Sequence, residues 1–175
     1  MMKETVIDIK NRRSVKEYDT KQVSDELLMQ VLEAGMNAPS GGNKQTPIFI
    51  VVQNKEWIKK LSKLNAEIAG APEGADPFYG APTVILVLAK NEGDPVEDGS
   101  LALGNMFNAA YALGLGSRWI NRIRQTFETE LGRELLEEAG YEGDYIGVGS
   151  CILGYPKNGF PEPIPRKDNY YKIIR

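Results

Sequence analysis

Three short apolar runs constrain this chain more than anything else in it: Ile48 to Val52, Thr83 to Ala89 and Tyr145 to Leu153. Each is too short for a core helix and, in the first two, too continuously apolar for a strand with one wet face. The first two read as buried strands, and the third as a strand with glycines at 147 and 149. Helical patterns lie between them, but not one per strand. The predicted order is helix, helix, strand, helix, strand, helix, helix, strand and an irregular tail. That order implies an α+β fold rather than a doubly wound parallel sheet.

The helices are marked by period and by caps. Residues 3–11 read as a short helix with Val6 and Ile9 inward. Ser24 is an N-cap, with Asp25 and Glu26 where the helix dipole favours anions. Leu28, Val31, Leu32 and Gly35 follow at helical spacing, and Pro39 closes that segment. Asn54 caps a helix over 55–66 with Trp57, Leu61 and Leu64 on one face. Residues 98–113 form the most apolar helix, with Glu97 and Asp98 as cap and dipole residues and Gly114 at its C′ position. A further helix spans 127–139 and ends at Gly140. Residues 69–82 form a long loop of the kind that often serves as a lid or binding wall. Four of the ten prolines fall at 156–165, so that stretch is neither helix nor central strand.

With 175 residues, 42% apolar and 26% charged content, the chain is expected to form one domain with a substantial core. No linker, repeat or low-complexity block interrupts it. A net charge of −3 argues against nucleic acid and anionic membranes as partners. The longest apolar stretch, Ala81 to Ala89, is too short to span a bilayer, and the first residues lack a signal-peptide pattern. A cytoplasmic location is the expectation.

The absences narrow the chemistry. There is no histidine, which removes imidazole acid–base catalysis, Ser-His-Asp triads and His metal sites. There is one cysteine, Cys151, which removes intrachain disulfides and paired-thiol redox, and which reads as a small buried hydrophobe. A cofactor that carries its own redox chemistry fits such a chain. Gly114-Leu115-Gly116 is no dinucleotide loop, because it follows a helix and lacks the third glycine. Arg118, Arg122 and Arg124 around Trp119 read as a solvated face or an interface.

Two segments carry chemistry. Arg12-Arg13-Ser14-Val15-Lys16 puts three cations and a hydroxyl within five residues, a set suited to phosphate. Ala38-Pro39-Ser40-Gly41-Gly42-Asn43-Lys44-Gln45 ends a helix with glycines and side-chain amides that suit the edges of a flat ring. Read singly, each is also compatible with an ordinary surface turn.

In this order and spacing, these segments resemble the nitroreductase family of FMN-dependent oxidoreductases. The resemblance continues through Tyr79-Gly80-Ala81-Pro82, Asn105-Met106, Leu113 to Trp119, Ile152-Leu153-Gly154-Tyr155 and Pro165-Arg166-Lys167. It implies a central, mostly antiparallel sheet flanked by helices, built as a homodimer with two FMN sites between subunits. Residues 1–175 would form one such domain, with tail 156–175 packing on the partner. The resemblance assigns Arg12, Ser14 and Lys16, with Arg13 beside them, to the phosphate and ribityl end. It assigns Pro39, Ser40, Gly41, Asn43 and Gln45 of the other subunit to the ring. Trp119, Ile120 and Asn121 would run along one flavin face, and Arg166 with Lys167 would close over the phosphate. No catalytic side chain is required. The implied reaction moves hydride from NAD(P)H through flavin N5 to a small acceptor such as a nitroaromatic or quinone. The alternative is a flavin-binding or flavin-delivery protein with little turnover. The chain departs from relatives at Pro47, at Ile164 where many have lysine, and at Asn121-Arg122.

Overall fold

The computed structural model describes residues 2–175. Its centre is a four-stranded antiparallel sheet made of β1 (Pro47–Val52), β2 (Thr83–Lys90), β3 (Gly116–Ile120) and β4 (Tyr145–Gly154), in the order β1-β2-β4-β3. β2 and β4 occupy the middle, and both read as apolar because both faces are covered. Val84, Leu86 and Leu88 point to one layer with Leu61, Ile123 and Ile152. Ile85 and Val87 point to the other with Val31, Met106, Cys151 and Leu153. This alternation about a doubly covered strand explains the continuous apolar run. The α+β expectation holds.

Helices α1 (Glu4–Asn11), α2 (Asp25–Met36), α3 (Lys55–Ile68), α4 (Pro95–Ala112), α5 (Ile123–Glu128) and α6 (Glu130–Glu138) complete the fold. Ser24 Oγ accepts from the Leu27 N–H, and Asn54 Oδ1 accepts from the N–H groups of Glu56 and Trp57. Each such cap is worth about 1 kcal/mol. Leu28, Val31 and Gly35 form the buried face of α2, as their spacing predicts.

Four expectations need correction. Val6 and Ile9 do not point inward: α1 buries no residue, and both side chains are exposed. β3 is a strand that the sequence reading missed, because Gly116, Ser117 and Arg118 dilute its apolar signal. The helix expected at 127–139 is two helices joined at Thr129, whose hydroxyl accepts from the Gly132 N–H and caps the second. The apolar helix starts earlier than 98, because Pro95 fits its first turn.

Glycines let the layers meet. β4 carries a bulge opposite Val87 and Leu88. Beside it, Val148 reaches α4 at Gly99, where a Cβ would sit 2.6 Å from a Val148 methyl. Gly147 abuts the Ile123 carbonyl of α5, leaving no space for a side chain.

Candidate functional site

After α1 the chain lies along the free edge of β3. The Val15 N–H donates to the Ser117 carbonyl at 3.0 Å, and Ser14 forms a parallel bridge with Ser117. Val15 is buried against Gly116, where a Cβ would come within 2.9 Å of a Val15 methyl. With Val15 turned inward, Ser14 and Lys16 are left exposed at either side. Arg12 and Arg13 are half-buried.

These residues border a cleft of about 650 Å³, closed on its far side by the first part of the tail. Arg12, Arg13, Ser14 and Lys16 share it with Arg118 and Arg166. The tail is held there by the Lys157 N–H on the Glu17 carbonyl at 3.1 Å and by Phe160, whose ring centroid is 4.7 Å from that of Tyr111. Burial pushes the Arg12 guanidinium below its usual pKa, and repulsion from Arg13 and Arg166 adds to the effect. The ion pairs among the described residues are Lys63–Glu67 and Lys90–Glu92, so none neutralises this cluster. The Nε atoms of Arg13 and Arg118 are buried without a hydrogen-bond partner. Converging cations with orphaned donors fit a ligand that brings anionic oxygen.

Lys167 lies outside the cleft lining. Its ammonium sits 5.0 Å from the centroid of Tyr170. Residues 161–175 are exposed along their whole length.

The second segment forms a separate surface. Residues 41–43 make one 3-10 turn, and Gly42, Asn43 and Gln45 all have positive φ, at 58°, 55° and 52°. Ser40 Oγ accepts from the Gln45 N–H at 2.9 Å, and Gln45 Nε2 donates to Asn43 Oδ1 at 3.3 Å. Asn43 and Gln45 are exposed; Ser40 and Gly41 are half-buried. Asp98 does more than complement the α4 dipole, because its buried carboxylate accepts from the Gly41 N–H and the Thr46 hydroxyl. Pro39, Ser40, Gly41, Asn43 and Gln45 do not line the Arg12 cleft. One protomer therefore does not bring the two segments together.

The third segment is the end of β3. Trp119 is 49% exposed and Ile120 is buried. The Asn121 carbonyl accepts from Asn65 Nδ2 at 2.7 Å, and Asn65 is itself buried. Asn121 Oδ1 accepts from the Arg122 N–H at 2.8 Å, with Arg122 in the left-handed region at φ 77°. Sequence reasoning missed Asn65, Asp98 and Arg118. Asn65 and Asp98 lie on helices far along the chain from the loops they fix, and no local pattern marks them. Arg118 stands near Arg122 and Arg124 in a stretch without a strand pattern, so the sequence marks it only as part of a solvated face or interface.

Loop 69–82 is anchored. Asp76 accepts from the Phe78 and Gly80 N–H groups and from the Ser62 hydroxyl, and Phe78 is fully buried. With α3 it lines a second cleft, of about 940 Å³, that shares no lining residue with the first.

Residues 9–159 match the nitroreductase family. The chain is 34% identical over 161 residues to an Archaeoglobus fulgidus protein that carries the provisional name NADH dehydrogenase/NAD(P)H nitroreductase, a match covering 90% of this chain and 88% of that one. A Bacteroides fragilis nitroreductase, solved with bound FMN, superposes with a TM-score of 0.90 at 30% identity, covering 99% of this chain and all of that one. A Desulfitobacterium hafniense nitroreductase with bound FMN gives 0.87 at 28% identity, with the same coverage. An antiparallel sheet with helices on both faces, and a cationic cleft along its free edge, define the class. The chain belongs to the nitroreductase family.

Proposed function

We propose that the protein is an FMN-dependent oxidoreductase that moves hydride from NAD(P)H to a small acceptor such as a nitroaromatic or quinone. The observation that carries this reading is the unneutralised cleft of Arg12, Ser14, Lys16 and Arg166, with buried donors lacking an acceptor. The FMN-bound relatives support the choice of ligand.

When bound, FMN would supply the electron chemistry, accepting and releasing hydride at N5. The chain's own groups bind, orient and exclude water. Arg12 and Arg166 give charge-assisted bonds to phosphate, Ser14 and Lys16 serve its ribityl side, and Arg13 adds charge beside them. Lys167, outside the cleft, contributes long-range attraction only. Trp119, Ile120 and Asn121 line a ring face, held in place by Asn65 on the Asn121 carbonyl. Pro39, Ser40, Gly41, Asn43 and Gln45 complete the site from a second copy, because in one protomer they lie apart from the cleft.

The same reading makes the protein a homodimer of one domain over 1–175, with tail 156–175 crossing the partner. Support comes from the exposed apolar side chains Val6, Ile7 and Ile9 of α1, Met36 of α2 and Leu101 of α4, and from Tyr170, Tyr171, Ile173 and Ile174 in the tail. So much exposed apolar surface marks an interaction face.

The test is the visible spectrum of the purified protein before and after anaerobic addition of NADH or NADPH. A yellow protein that either nicotinamide bleaches within seconds is expected. A yellow protein that neither bleaches would indicate a flavin carrier, and one that cannot be loaded with FMN would overturn the reading.

A further inference from the structure

Arg118 stands in the middle of β3, opposite Ile152 of β4, at a position where a short, half-buried strand ordinarily carries an aliphatic side chain. It borders the cleft beside Arg12, Ser14, Lys16 and Arg166. Its guanidinium lies 5.1 Å from the centroid of the Tyr79 ring, a cation–π contact that restrains its plane. Its Nε is buried and has no acceptor. No carboxylate forms an ion pair with it among the described residues. Of the two carboxylates on the cleft, Glu17 is engaged by Asn158 Nδ2 at 2.5 Å, and Glu162 belongs to the exposed part of the tail.

A buried guanidinium donor without an acceptor is costly, and the described residues offer none. The cleft lining holds five cations against two carboxylates. A phosphomonoester brings about −1.5 to −2 charge at neutral pH and offsets roughly half to two thirds of that excess. A ligand lacking phosphate offsets none of it.

We infer that Arg118, placed by Tyr79, is a further phosphate-binding residue of this cleft and sets its preference for phosphorylated over unphosphorylated flavin. The inference rests on the proposed flavin reading for the ligand's identity; the demand for an anion comes from the cleft itself.

The experiment compares wild type with Arg118→Gln and Arg118→Lys in two measurements. The first is the dissociation constant of FMN and of riboflavin. The second is the rise in melting temperature of the flavin-free protein on adding inorganic phosphate. Arg118→Gln should weaken FMN about ten- to a hundredfold and leave riboflavin unchanged. Arg118→Lys should fall between, since it keeps charge but loses the fork. Phosphate should stabilise wild type more than Arg118→Gln. Equal weakening of both flavins, or FMN binding at the wild-type level, overturns the inference. If Arg118→Gln does not fold, Arg118→Lys decides by the same comparison. A wild type that binds neither flavin overturns the oxidoreductase reading instead. The phosphate measurement then decides the role of Arg118, and equal shifts in all proteins would overturn it.

Discussion

The Gly41 N–H donates to Asp98 Oδ1 at 2.9 Å, and Thr46 Oγ1 donates to Asp98 Oδ2 at 3.1 Å. One buried carboxylate in the first turn of α4 thus holds both ends of a loop in which Gly42, Asn43 and Gln45 adopt left-handed backbone. That conformation costs about 1–2 kcal/mol for each non-glycine residue, so the loop needs an external tether. Asp98→Ala should destabilise the fold by at least about 1.5–3 kcal/mol, the worth of a hydrogen bond to a charged group. Asp98→Asn keeps an acceptor for Gly41, while its amide can donate to Thr46, so its cost should be smaller. Urea denaturation checks this. Equal losses for the two variants would show that charge, not the tether, matters.

Stability should fall at alkaline pH through Cys151 and Tyr18. Burial pushes both the Cys151 thiol and the Tyr18 phenol well above their ordinary pKa values. The folded protein therefore holds these protons after the unfolded chain has released them, from about pH 8.5 for Cys and about pH 10 for Tyr. Stability from these groups is complete below that range and declines above it by up to about 1.4 kcal/mol per pH unit for each group. Denaturation midpoints should be flat with respect to these groups below pH 8, fall above about pH 8.5 and steepen above about pH 10. Cys151→Ala should remove the first decline and leave the second. A wild-type and variant slope that coincide between pH 8.5 and 10 would contradict this.

The sequence was legible where a local rule decides the structure. Ser24 and Asn54 sit directly before the helices they cap, and Ile48 to Val52 and Thr83 to Ala89 have no wet face to hide. Legibility ended where the deciding partner is distant. Ser117 and Arg118 look like loop residues until Val15 and β4 flank them. Thr129 divides a helical pattern because its hydroxyl caps the next segment. Val6 and Ile9 follow a helical period correctly, yet they face away from their own core. At the candidate site, the cationic segment was readable as a string of charges. Asn65, Asp98 and Arg118, which fix or extend it, became visible only through contacts made 56, 57 and 39 residues away in the chain, respectively.

α1 and α2 both pack on α4, and this side of the protomer exposes Ile9, Met36 and Leu101. Wild type should sediment as a dimer. Ile9→Glu with Leu101→Glu would place two charges in the contact, so the protein should become monomeric while keeping its helical circular dichroism. FMN should be lost together with the dimer, since loop 39–45 of a second copy would no longer reach the cleft. A monomer that binds FMN stoichiometrically with wild-type affinity would show that the site is complete in one chain.

The chemistry asks little of any one side chain. The protein has no histidine, and its single cysteine is buried in the sheet and held in its thiol form. At the end of β3, Asn121 offers its carbonyl to Asn65 and its side-chain oxygen to the Arg122 N–H, so both of its oxygens are spent on backbone placement. Hydride delivery to a bound flavin needs alignment and backbone donors, not a proton from the protein. Cys151→Ser and Asn121→Ala should therefore keep most of the rate of flavin reduction by NAD(P)H once FMN is saturating. An obligatory acid–base group would contribute about 10²–10⁴-fold. Anaerobic stopped-flow absorbance on both variants measures the rate directly. A fall beyond about a thousandfold in either, with FMN bound and the fold intact, would mean that a side chain takes part in the chemical step itself.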